Sequence, residues 1–243
     1  MTDKQNKELN KEPNKEQRGL LEILKEIKGY KTNLALLSSA SNVFGFIMSF
    51  GLGCLILTGL FTKVSNLGVI VNPQAYTTGY KAQQKALQLG YTTSTTWILV
   101  DFTKPSSQKR LYVYKGSNLV YSTEVAQGTG SGLGEYATKF SNIDGSHMSS
   151  IGVMKLAETY IGHNGSSIRL NGLEPGFNSN VRGRMMVIHQ AAYVYPGHAG
   201  HSYGCFAVSI QARQDLNQYV KAGDILVSYY PDQNWINNSR FLK

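Results

Sequence analysis

The chain has little cysteine: two residues in 243, set in unlike surroundings. Cys54 lies in an apolar run and Cys205 in a polar, glycine-rich loop, which argues against an intrachain disulfide and marks Cys205 as a free thiol. Acidic residues are also scarce. Against 24 Lys and Arg stand 15 Asp and Glu, leaving a formal net charge of +9. An excess of that sign suits plain solubility, a membrane surface, a cell wall or another anionic polymer, and by itself selects none of them. Nucleic acid is the least supported partner, because no basic helix, finger spacing or aromatic–basic stripe is present. Internal repeats and coiled-coil heptads are absent too.

Charge of either sign disappears altogether between residues 32 and 62. The centre of that stretch, 43–61, is long enough to cross a bilayer as a helix. A buried core helix usually keeps a polar face, and this run has none. Gly45, Ser49 and Gly53 form a small-residue stripe able to pack another helix. The expectation is an uncleaved signal anchor over 32–62. A cleaved signal peptide competes, but the charged region before the run is long and no small-x-small cleavage site follows it. Lys25, Lys28 and Lys31 precede the span, and Lys63 alone follows it before Lys81. That bias puts the N-terminus in the cytoplasm and the rest of the chain outside, periplasmic or extracellular. Residues 1–31 read as a polar tail in which Leu20, Leu21, Ile23, Leu24 and Ile27 recur at helical spacing, as a short amphipathic helix.

After the span, 63–94 is expected to hold a linker and a short helix, and 95–243 a single domain. Small polar residues and Pro73 fill 64–80, while 81–89 reads as a helix stopped by Gly90. Strands are expected at 96–102, 110–114, 119–125, 151–157, 167–171, 184–190 and 224–230, with a hairpin turn at 115–118 and one helix over about 210–222. Short, closely spaced strands with many turn residues predict a mainly β domain, a sandwich or barrel carrying one or two helices.

Chemistry concentrates in 184–206. An apolar run delivers His189 at its end. A polar loop with Pro196, Gly197 and Gly200 follows and closes on Ser202-Tyr203-Gly204-Cys205. A thiolate is the attacking species in cysteine chemistry, and a nearby imidazole both generates and stabilises it. Cys205 is therefore the expected nucleophile and His189 its base, brought together by a strand–loop–strand hairpin. A glycine just before the nucleophile allows backbone N–H groups of Gly204, Cys205 and Tyr203 to converge on a forming oxyanion. His198, His201 and Cys205, with His189 as a fourth ligand, offer a rival reading as a structural zinc site, although their spacing matches no standard motif.

The motifs Asp101-Phe102-Thr103-Lys104-Pro105-Ser106-Ser107, Gly128-Thr129-Gly130-Ser131, Ser141-Asn142, Gly145-Ser146-His147-Met148-Ser149-Ser150-Ile151-Gly152, Val187-Ile188-His189 and Ser202-Tyr203-Gly204-Cys205 occur in that order. Together they resemble the murein L,D-transpeptidase catalytic domain, in its YkuD-like branch with a Ser-Ser-x-Gly substrate loop, over roughly residues 95–230. The resemblance implies a β-sandwich-like domain acting on peptidoglycan tetrapeptide stems. Its cysteine attacks the carbonyl between the third residue and terminal D-alanine, and an amine of a neighbouring stem resolves the acyl-enzyme. Water in the amine's place would give a carboxypeptidase or endopeptidase, and a silent fold would give a wall-binding module. Neither an organic cofactor nor a metal is implied.

On this resemblance Cys205 maps to the nucleophile and His189 to the base. Tyr203 stands where the family usually has histidine, and the role carried over is its backbone carbonyl, which orients the imidazole. Ser202 matches a small hydroxyl that supports the loop. Ser149, Ser150 and Gly152 match the substrate-loop motif. Arg184 and Tyr193 fall in the matching strand and loop as substrate contacts, Arg184 as a partner for a stem carboxylate.

Overall fold

The computed structural model describes residues 71–243. The expected span 43–61, the tail before it and their orientation lie outside the described residues. Among the described residues no helix is long and apolar enough to cross a membrane.

The first element, α1 (Pro73–Gln88), begins inside the stretch expected to be a linker. Asn72 caps it: Asn72 Oδ1 accepts the N–H groups of Gln74 at 2.9 Å and Ala75 at 3.3 Å. Pro73 occupies the first turn, where a missing N–H costs nothing. Its buried stripe is built from small residues, Ala75, Gly79, Ala82 and Ala86, with Gln83 beside them. Such a face carries little hydrophobic signal, which is why the sequence reads as a linker there. Gly79 lets the helix sit directly on the sheet, since a Cβ would come within 2.8 Å of the Trp97 ring.

Ten strands follow, β1 (Thr96–Asp101), β2 (Leu111–Lys115), β3 (Asn118–Thr123), β4 (Gln127–Gly128), β5 (Gly152–Gly162), β6 (Gly165–Gly172), β7 (Val187–Gln190), β8 (His201–Ser202), β9 (Phe206–Val208) and β10 (Ile225–Tyr229). Eight of them form one mixed sheet in the order β3-β2-β1-β10-β5-β6-β7-β9, and β4 pairs with β8 separately. The last strand of the chain, β10, lies in the middle of the sheet, parallel to β1 and antiparallel to β5.

Strand alternation sorts the core into two faces. Ile98, Val100, Leu111, Val113 and Leu226 point to one face, where they meet Ile188, Phe206 and, from α2 (Ile210–Tyr219), Leu216. Trp97, Leu99, Tyr112, Tyr114 and Val227 point to the other, beneath α1 and beside Trp235 of α3 (Gln233–Asn238). Trp97 stacks on Tyr114 at 4.7 Å. Truncating a buried tryptophan of this kind costs about 3–5 kcal/mol. Phe102, just past β1, stacks on Phe206 of β9 at 6.1 Å although four strands intervene in the sheet order. The sheet is therefore rolled around its first face, so the expected sandwich or barrel resolves into one curled sheet. Three α-helices accompany it among the described residues, α1 ahead of the first strand and two within the domain, as many as expected there. The edge of β9 does not stay open: Ala126 N–H donates to Ala207 O at 2.8 Å.

Candidate active site

The register of β7 and β9 decides where the expected nucleophile and base stand. These strands run parallel, with Ile188 beside Phe206 and His189 beside Ala207. Cys205 is the residue immediately ahead of β9, so continuing the register sets it beside Val187. Side chains two apart along a strand share a face. Cys205 and His189 are thus on one face of neighbouring strands, offset by two positions, a diagonal of roughly 7–8 Å between backbones. Both line a groove of about 780 Å³, together with Thr129, Met185, Tyr193 and Tyr203.

At rest the pair is not joined by a hydrogen bond among the described residues. The Cys205 thiol is directed at Met185 O, 3.7 Å away. Burial pushes that thiol up, while the Val187 N–H, the Arg184 charge and the Cys205 N–H pull it down by less. Burial pushes the His189 imidazole down, against a raising contribution from Gln190. The resting state is a neutral thiol beside a neutral imidazole, an arrangement suited to general-base transfer during attack and not to a standing ion pair. His189 Nδ1 lies 2.8 Å from Gln190 O. That carbonyl, and not the one expected from Tyr203, is the orienting group, and it leaves Nε2 as the nitrogen free for the groove.

The 202–205 loop is held from within and from behind. Ser202 Oγ accepts the Gly204 N–H at 3.1 Å and donates to Cys205 O at 2.7 Å. The expected support from Ser202 is present. The expected contribution of Gly204 to an oxyanion pocket is not, because its amide is already occupied. Gly204 adopts φ +116, and a Cβ there would stand 2.9 Å from Met148 O, so only glycine fits. Ser149 Oγ donates to Gly204 O at 3.1 Å and accepts the Gly128 N–H at 3.0 Å, which joins three loops at one hydroxyl.

This placement corrects the substrate-loop expectation. Ser149 and Ser150 are fully buried and absent from the groove lining. Ser150 Oγ donates to Ser141 O at 2.8 Å and accepts from Arg184. Gly152 opens β5 at φ +99 against Glu174, Asn178 and Trp235, where any Cβ would collide. All three hold the framework. Arg184 does line the groove, but its guanidinium is committed to the 141–148 loop, donating to Ser141 O at 2.7 Å, Met148 O at 2.7 Å and Ser146 Oγ at 3.1 Å. Its charge still reaches Cys205. Tyr193 stands as expected on the groove wall, its phenol pushed up to about 12 by burial first and Cys205 second. Tyr203 is 75% exposed, and its ring packs on His147 at 4.6 Å, so the side chain belongs to the groove rim.

Residues that sequence reasoning missed include Met185 and Gln190. Met185 and His147 are the two non-glycine residues with positive φ among the described residues, at 54° and 53°, and they flank the groove. Strain of this kind concentrates where geometry serves a site. No sequence signal marks a methionine in that conformation. The zinc alternative has no geometric counterpart: His201 Nε2 is 3.2 Å from Gly134 O, His198 stacks on Tyr195, and no group of three or more His, Cys, Asp or Glu among the described residues is placed to hold a metal.

A thiol and an imidazole thus share one groove wall of a rolled β domain. The family follows from a comparison with known sequences: a model of the L,D-transpeptidase catalytic domain matches residues 69–229, and the chain belongs to that family. The chain has no significant match among curated proteins. Among solved structures it is similar to an L,D-transpeptidase from Mycobacterium smegmatis, at 10% identity and a TM-score of 0.39, covering 56% of this chain and 59% of that one. It is also similar to one from Xylanimonas cellulosilytica, at 20% identity and 0.35, covering 60% and 68%. A third is L,D-transpeptidase 3 from Mycobacterium tuberculosis in complex with a faropenem-derived adduct, at 10% and 0.37, covering 56% and 60%. The match thus spans about three-fifths of the first of these chains, and at such scores the likenesses carry no argument about the site.

Proposed function

We propose that this protein is a peptidoglycan L,D-transpeptidase working through a Cys205 acyl-enzyme. The observation that carries the reading is the shared face of Cys205 and His189 on β7 and β9. His189 Nε2 takes the thiol proton as Sγ attacks the carbonyl between the third stem residue and terminal D-alanine. The tetrahedral oxyanion is met by the Cys205 N–H, a donor of a type worth roughly 3–4 kcal/mol of barrier. Collapse breaks the C–N bond, the imidazolium returns the proton to the departing D-alanine amine, and a thioester remains. An amine from a second stem then attacks, His189 takes its proton, and the thiol is restored with a third-to-third-residue cross-link. Tyr193, Tyr203 and the exposed Met185 form the walls against which stems lie.

The test is intact-mass analysis after incubation with a carbapenem, with the adduct located by peptide mass. A covalent adduct on Cys205 is expected. None, with ordinary alkylation of the thiol, would leave a wall-binding module. Muropeptide analysis then separates cross-linking from hydrolysis by water. The uncharged 43–61 run is proposed to anchor the domain at the outer face of a membrane, which membrane fractionation of the full chain and of a chain lacking 32–62 checks.

A further inference from the structure

We propose that Ser149 is a positioning residue that aims the oxyanion donor of the reaction, an inference resting on the acyl-transfer reading above. The Gly204–Cys205 peptide is planar and trans, so its C=O and N–H point in opposite directions. Whatever fixes the carbonyl of Gly204 therefore fixes the direction of the Cys205 amide. The group that fixes it is Ser149 Oγ, donating to Gly204 O at 3.1 Å from behind the loop. Opposite that bond, the Cys205 N–H points away from Ser149 and out of the knot behind the loop. The neighbouring amide of Gly204 is taken by Ser202 Oγ, so aim falls on the Cys205 N–H. This amide also lies ahead of the β7–β9 register, which begins at Phe206 and does not hold it.

Ser149 is in turn over-determined. Its hydroxyl accepts the Gly128 N–H at 3.0 Å, its own N–H donates to Ser131 Oγ at 2.9 Å, and its carbonyl accepts the Ser141 N–H at 3.1 Å. Gly128 is packed so closely that a Cβ would lie 2.8 Å from Gly204 Cα. The hydroxyl is fully buried and outside the groove lining. Its effect is confined to steps that build charge on a carbonyl oxygen.

Two reactions of the same thiol isolate that effect. In acylation by a carbapenem, a bond forms from Cys205 Sγ to the lactam carbonyl, an oxyanion develops, the ring C–N bond breaks and the ring nitrogen takes the thiol's proton. In alkylation by iodoacetamide, the thiol gives its proton to His189 or water, an Sγ–CH2 bond forms as the C–I bond breaks, iodide leaves, and no oxyanion exists. Both rates are measured on the full chain by peptide mass at Cys205, since Cys54 is a second thiol. For Ser149→Ala the ratio of acylation to alkylation is expected to fall by ~10- to ~100-fold, less than the ~100- to ~1000-fold of deleting a donor outright. An equal fall in both rates, or an unchanged ratio, overturns the proposal and leaves Ser149 as packing. If the wild-type chain is not acylated, it is the acyl-transfer reading that has failed, whatever Ser149 does. Should Ser149→Ala not fold, Ser131→Ala releases the Ser149 N–H and is read the same way: a fall of ~3- to ~10-fold in the ratio is expected on partial misaim of one donor, and an unchanged ratio overturns it.

Discussion

Two buried polar knots grip the 149–153 segment, and they are built differently. The knot behind the groove, around Ser149, is made of neutral hydroxyls and main-chain groups with Arg184 at its rim. The knot at the start of β5, around Glu174, centres on a buried carboxylate. Glu174 Oε2 accepts the Val153 N–H at 2.5 Å and Trp235 Nε1–H at 3.0 Å, and Oε1 accepts the Ser239 hydroxyl. Asn178 closes it, accepting the Glu174 N–H and donating to Ile151 O. Burial holds the Glu174 carboxyl above the usual carboxylate range, and those donors oppose it. The Glu174 knot ties the C-terminal segment to the sheet and contacts nothing in the groove. The Ser149 knot places the loop that carries Cys205. On the proposed reading, one determines whether the domain holds together, the other how well its thiol reacts.

That division is most sharply tested at the thiol itself. Cys205→Ala is expected to abolish carbapenem adduct formation, and His189→Ala to slow it by ~100- to ~10,000-fold, each with an unfolding midpoint close to wild type. Acylation at the wild-type rate in either protein would sink the assignment. Glu174→Ala is expected to do the reverse. It orphans three buried donors at about 1–3 kcal/mol each, so denaturant unfolding should show a loss of about 3–5 kcal/mol. The acylation rate of the folded fraction should stay within a factor of two or three. A large rate loss without destabilisation would erase the distinction between the knots. Ser202→Ala should fall on the groove side, with acylation slowed by ~10-fold and a stability loss of about 1 kcal/mol from the missing hydroxyl.

The smallest effect is a displacement in pH. His189 is held below the ordinary imidazole value of about 6.5. Protonation removes the base, so the acid limb of acylation should have its midpoint below that value. The Cys205 thiol is held high, so alkylation by iodoacetamide should keep rising through pH 8 and beyond. A plateau of alkylation already at pH 6 would reveal a thiolate–imidazolium pair and contradict the neutral resting state.

Much of the sheet is legible in the sequence because alternation and hairpin chemistry are local. β1, β2, β3, β6 and β10 fall within a few residues of expectation, and so does α2. β9 escaped notice: three residues are too few to show a period, and it is a strand because β7 lies beside it. The first half of α1 was hidden by alanine and glycine on its inner face, although Asn72-Pro73 spelled its start, while its second half falls on the helix expected over 81–89. At the site, residue types put forward Cys205 and His189 as candidates, and the glycine at 204 is one that its φ of +116 requires. What stayed illegible was the division of labour among polar side chains. Ser149, Ser150 and Arg184 resemble substrate contacts in the sequence, and the partners that hold them include groups 34 to 55 residues away along the chain. A reading of neighbouring residues has no access to bonds of that span.

The central place of β10 bears on synthesis. Until residues 225–229 emerge, β3-β2-β1 and β5-β6-β7-β9 have no shared strand to zip them together. A nascent or truncated chain ending before Ile225 holds two half-sheets, and Phe102 has no rolled surface to bring it against Phe206. The two half-sheets, and with them the packing of Phe102 on Phe206, are thus joined only once the C-terminal strand is in place.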